Sequence, residues 1–99
     1  MALRLDLQSL LEAITTHVYF QPPENLKLQY PCIIYHRDFA ETDHADNGPY
    51  RHTLRYMVTV IDLNPDSDIP KKVAMIPMCS YNRFFTADNL NHDVYTLYF

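Results

Sequence analysis

From Arg51 to Leu63 the chain alternates as an extended strand does, with Leu54, Tyr56, Val58 and Val60 on one parity and Arg51, Thr53, Arg55, Met57, Thr59 and Ile61 on the other. The first set forms a core face and requires a layer to pack against. The second begins polar and turns apolar, which predicts that one end of the strand projects beyond that layer or meets a neighbouring subunit. A second strand is predicted at Cys32 to Arg37, where Cys32, Ile34 and His36 alternate with Ile33, Tyr35 and Arg37. Apolar groups on both parities predict packing on both faces.

Between these strands lies Asp-Phe-Ala-Glu-Thr-Asp-His-Ala-Asp-Asn-Gly-Pro-Tyr, residues 38 to 50, which reads as a polar, acidic loop. A hairpin needs only about two to five connecting residues, and a longer loop in a compact domain is usually functional or disordered. The segment is therefore the leading candidate for function.

Leu3, Leu7, Leu10, Leu11 and Ile14 recur at helical spacing opposite Arg4, Asp6, Gln8, Ser9 and Glu12, predicting an amphipathic helix over residues 3–16. His17-Val-Tyr-Phe reads as a short extended piece stopped by Pro22-Pro23, and a linker runs on to Pro31. Asn64-Pro-Asp-Ser-Asp is a turn, and Asp66, Ser67 or Asp68 can cap a short helix from Ile69 to Ile76, with Pro70 suited to its first turn. Tyr81 to Thr86 and Asp93 to Phe99 are two further strands joined by the turn-rich residues 87–92.

The order α, β, β, β, α, β, β predicts the α+β class: a small, mostly antiparallel sheet packed against an N-terminal helix and a second short helix. One domain spanning residues 1–99 is expected at this length. The closing Tyr95-Thr-Leu-Tyr-Phe predicts an exposed aromatic edge that invites pairing with another chain.

Composition narrows the function classes. No apolar run approaches the roughly 18 to 20 residues that cross a bilayer, and Met-Ala-Leu-Arg-Leu-Asp-Leu lacks the apolar stretch of a secretory signal, so intracellular synthesis without a membrane partner is expected. A net charge of −4 with scattered basic residues argues against gripping DNA phosphates, although an acidic channel can surround a duplex without holding it.

Cys32 and Cys79 read as small, reduced, buried groups. Cys79 with His92 lacks the surroundings of an activated thiol. His36, Asp38, Glu41, Asp43, His44, Asp46 and His52 cluster loosely, and His36 with His52 is the candidate metal pair, but no compact ligand spacing accompanies them. Asp62, Asp66 and Asp68 lack the glycine and distal glutamate of a calcium loop. No catalytic residue, cofactor or metal is expected. The 8 tyrosines and 5 phenylalanines exceed what one small core encloses, which predicts aromatic subunit interfaces, with RNA stacking as the competing use.

Val18-Tyr-Phe-Gln-Pro-Pro-Glu-Asn, Tyr30-Pro-Cys-Ile-Ile-Tyr, Ala45-Asp-Asn, Tyr50-Arg, Arg55-Tyr, Ile61-Asp with Pro65-Asp, and Ala87-Asp-Asn-Leu-Asn-His-Asp run through nearly the whole chain. In these phrases it resembles the small tail-completion proteins of long-tailed bacteriophages. The resemblance implies a tail terminator, a hexameric ring that caps the tail tube, ends polymerisation of the tube protein and joins the head connector. It brings no enzymatic residues.

On that reading the protein belongs to the virion neck after assembly in the host cytoplasm, and DNA passes through its channel without specific binding. The expected contact set is Asp38, Glu41, Asp43, His44, Asp46, Asn47, Tyr50, Arg51, Arg55, Tyr95, Tyr98 and Phe99, facing either the tube or a neighbouring subunit. The alternatives are a head-completion or stopper protein of the neck and, in other classes, a small nucleic-acid-binding module or a metal-dependent enzyme using His36 and His52.

Overall fold

The computed structural model describes residues 4–23, 26–44, 49–64 and 66–99, with 39–44 and 49–53 described by their backbone. The chain runs through α1 (Arg4–Glu12), β1 (Val18–Phe20), β2 (Cys32–His44), β3 (Pro49–Asp62), α2 (Ile69–Ala74), β4 (Cys79–Ala87) and β5 (Leu90–Tyr98). The strands form one sheet in the order β1-β2-β3-β5-β4, antiparallel throughout except that β1 lies parallel to β2. This is the predicted α+β arrangement, in the predicted chain order.

Both helices lie on one face. Leu7 and Leu11 of α1 and Val73 of α2 bury against Ile33, Tyr35, Tyr56, Val58, Val60, Tyr95 and Leu97, so the core parity of β3 is the one its alternation predicts. The predicted face of α1 needs correction, since Leu10 is 40% exposed while Arg4 and Gln8 turn inward at the rim. The cause is the fully buried Tyr35, whose hydroxyl must find partners. It donates to the Gln8 Oε1 atom and accepts from the Arg4 guanidinium at 3.1 Å, which in turn lies 4.4 Å over the Phe20 ring.

The opposite sheet face has a smaller cluster of Cys32, Ile61 and Leu90, with Tyr19, Ile34 and the linker residue Leu28 packed against it. Packing on both sides of β2 is thus accounted for.

Local chemistry sets the connections. The Asp62 carboxylate accepts the Asn64 N–H at 2.9 Å, and Asn64 Oδ1 accepts the Asp66 N–H at 3.0 Å, closing successive side-chain turns before α2. Asp68 occupies the cap position without a side-chain bond, and Ser67 Oγ instead accepts the Ile69 N–H at 3.2 Å. Ala87 pairs with Leu90, so the predicted 87–92 connection contracts to Asp88 and Asn89, both at positive φ (53° and 63°), the geometry a two-residue hairpin turn requires.

Two expectations are overturned. Residues 38–44 and 49–50 are strand rather than loop, because β2 and β3 stay paired through Phe39↔Arg55, Ala40↔Leu54, Glu41↔Thr53, Thr42↔His52, Asp43↔Arg51 and His44↔Pro49. A ladder lying outside the core needs backbone partners but no apolar parity, so polar residues pair there without a hydrophobic signal. Residues 45–48, including Asp46 and Asn47, lie outside the described residues.

The terminal aromatic strand is not an edge either. Crossing by way of α2 places β4 outermost, and β5 returns between β4 and β3.

The paired ladder outgrows the body. β5 accompanies β3 only as far as Arg55↔Tyr98, with the Phe99 N–H reaching the Leu54 carbonyl at 3.1 Å. Beyond that point, among the described residues, β2 and β3 pair only with each other and form an arm about 20 Å long at strand rise. The molecule is correspondingly long, 51 × 27 × 23 Å, and its radius of gyration of 14.7 Å exceeds the about 13 Å of a compact domain this size.

Candidate assembly surface

The arm begins at a register shift between Arg37 and Phe39 that leaves Asp38 without an opposite residue. That extra residue has a chemical use. Arg55, on the facing strand, donates from Nε to Asp38 Oδ1 at 3.0 Å, and the pair is partly sheltered. Hydrogen bonding to Asp38, and then to the Tyr98 hydroxyl, holds the Arg55 pKa above its usual value. The predicted contact residues Asp38, Arg55 and Tyr98 are therefore brought together at the root of the arm. Glu41, Asp43 and His44 follow along β2, with Tyr50 and Arg51 on β3.

Tyr95 does not belong to this surface. It is 4% exposed, and its hydroxyl donates to the Pro70 carbonyl at 3.1 Å, fastening α2 to the sheet. Burial, then the neighbouring Asp93 carboxylate, pushes its pKa up to about 12. Phe99 is half-buried and packs against the main core, so it too serves the fold.

The surface that sequence reasoning left unassigned is β4. It is an edge strand, exposed along its length after the half-buried Cys79. Tyr81 and Phe84 are 57% and 52% exposed, Phe85 is also exposed, and Met75 and Met78 beside them are more open still. On the helix side Tyr81 meets Tyr95 edge to face, with ring centroids 5.4 Å apart. A register shift between Tyr81 and Arg83 leaves Asn82 unopposed, its amide donating to Thr96 Oγ1 at 3.2 Å. After it Phe85 stacks on His92 at 4.5 Å, and the Arg83 guanidinium lies 5.6 Å over Phe85. The shift brings Phe84 onto the same face as Tyr81, while Phe85 takes the opposite face. Edge position is a property of topology, and no local pattern in Tyr81 to Thr86 signals it.

The thiol alternative finds little support. Burial, reinforced by Asp62, pushes the Cys32 thiol up to about 11, and burial also raises Cys79, so neither is held as a thiolate. Cys79 pairs across from Leu97 and His92 from Phe85, which puts the two at opposite ends of the hairpin. Among the described residues no three histidine, cysteine, aspartate or glutamate side chains group as metal ligands, and the His52 side chain lies outside the description. Among the described residues no helix is long and apolar enough to cross a membrane. No protein-family model matches the chain, and no curated protein matches it.

Proposed function

We propose that this protein is a noncatalytic assembly module whose copies join side to side around an axis. Within that class, the reading is a tail terminator of long-tailed bacteriophages. It forms a ring, six-fold by the sequence resemblance, that caps the tail tube, halts addition of the tube protein and offers the head connector its docking surface. The ring resides in the virion neck after assembly in the host cytoplasm.

One observation carries this reading. A single small domain has two unlike open surfaces, the β4 edge and the β2–β3 arm. A closed ring needs a heterologous interface, in which one patch meets a different patch on the next copy. The net charge of −4 suits a channel through which DNA moves without being gripped.

Electron microscopy of the purified protein, alone and with tail-tube subunits, tests the proposal. The expected result is rings seated on tube ends and tubes that stop growing. Rings that bind only the head connector would make it a stopper, and a salt-sensitive DNA complex formed by a lone monomer would overturn the assembly reading.

A further inference from the structure

We infer that β2 of one copy, over residues 38–44, adds as a further strand to β4 of the next copy, Cys79–Ala87, and that this pairing is the principal ring contact. The inference rests on the ring proposed above and specifies which surfaces close it.

The receiving edge is built for a strand. The Tyr98 N–H donates to the Met78 carbonyl, so Met78 faces β5, and alternation along the ladder turns the N–H and carbonyl of Tyr81 to the open side. Natural edges are blunted with lysine, proline, a bulge or a covering element; the bulge in β4 is the single residue Asn82, and pairing with β5 resumes at Arg83. β4 contains neither lysine nor proline, and α2 packs only near its start. Exposed rings on both faces would flank an added strand, which is how edge recognition combines backbone bonds with side-chain pockets.

The donated strand comes from the arm. β1 covers β2 only from Ile33 to Tyr35, after which Gln21 Oε1 accepts the Arg37 N–H at 3.4 Å. Further out, among the described residues, the outer edge of β2 has no strand beside it. A two-stranded ribbon is marginally stable by itself in water, so an arm of this length calls for a third strand.

Charge selects the pairing. Besides Asp38, which Arg55 already engages, the β2 segment contains Glu41 and Asp43, whereas the β3 side of the arm contains Arg51 and His52. The one charged residue between Cys79 and Ala87 is Arg83, and α2 carries Lys71 and Lys72 in its last turn. An acidic strand therefore meets an edge whose one charged residue is basic. Pairing β4 with β4 of a second copy would instead oppose like charges, close at two copies and leave the arm unsupported.

Complementation between two variants tests this. One variant is armless, with residues 41–52 replaced by Asn-Gly. The other is edge-blocked by Tyr81→Pro, or by Phe84→Asp if the proline disturbs the sheet. Circular dichroism checks each fold, and Glu41→Lys with Asp43→Lys replaces the deletion if the armless chain does not fold. In sedimentation velocity each variant alone should be a monomer, and an equimolar mixture should give a heterodimer, one intact arm on one intact edge.

An armless chain that still forms dimers or rings, or a mixture that stays monomeric, overturns the inference. Tube capping by the native chain is scored separately. Capping rings built from armless subunits would sink the arm-to-edge contact alone, and arm-to-edge dimers without capping would sink the terminator role alone.

Discussion

Strands β4 and β5 belong to one hairpin and both are rich in aromatic residues, yet β5 buries Leu90, Val94, Tyr95 and Leu97 while every residue of β4 after Cys79 is exposed. The difference is positional. β5 has β3 on its other side and both helices over one face, whereas β4, among the described residues, has a strand on one side only and meets α2. The same kind of side chain thus stabilises the monomer in one strand and is left available for association in the other.

The largest expected effect lies on the buried side. Leu97→Ala or Leu11→Ala should destabilise the monomer by about 2–5 kcal/mol in urea unfolding, because each empties a fully buried site. Phe84→Ala should change monomer stability by no more than about 0.5 kcal/mol while abolishing rings, since its ring is half in solvent. If Phe84→Ala unfolds the monomer, the contrast between the two strands is wrong.

An intermediate effect belongs to Tyr95→Phe, which leaves the Pro70 carbonyl without its donor at a loss of about 1 kcal/mol. Its pH dependence has a definite sign. The folded chain keeps the phenol proton up to about 12 while the unfolded chain releases it near 10.0, the ordinary value for tyrosine. The tyrosine's contribution is therefore complete below pH 10.0 and is lost as pH rises through about 12. Alkaline unfolding curves of Tyr95→Phe should be flatter over that interval than those of the native chain. Equal slopes would place Tyr95 outside the core.

Smaller effects sharpen the comparison. Cys79 should react with an aromatic disulfide reagent in the native state, slowly, and Cys32 only on unfolding, because Cys32 is fully buried and Cys79 only partly so. The reverse order would displace β4 from the edge. Asp38→Asn should shift the melting temperature least of all, and the shift should fade in about 1 M salt, where screening acts within about 3 Å.

What could be read beforehand follows from where burial leaves a periodic mark. The β3 alternation, the helical leucine spacing of residues 3–16, Pro70 at the start of α2 and the turn-rich stretch 87–92 are local signals, and each element formed there, with α1 ending at Glu12 and the turn contracting to Asp88 and Asn89. The outer part of β2 is held by backbone pairing with β3, which needs no apolar alternation, so its polar sequence resembled a loop. The rotation of α1 depends on the Tyr35 hydroxyl, far away in the chain, which is why Gln8 and Leu10 exchanged their expected environments. Tyr95 and Tyr81 stand directly opposite each other, yet only the strand order makes one core and the other surface.

The unopposed residue at Asp38 also acts as an aiming device. Extra residues of this kind increase local twist and bend the strand, and with a lever about 20 Å long a tilt of about 10° at the base swings the far end by about 3.5 Å. Removing that one amino acid would straighten the lever while leaving Phe39 opposite Arg55 and every pair beyond it in register. In the ring proposed above, the angle between successive protomers, and with it the bore, would then be governed by a single position in the chain.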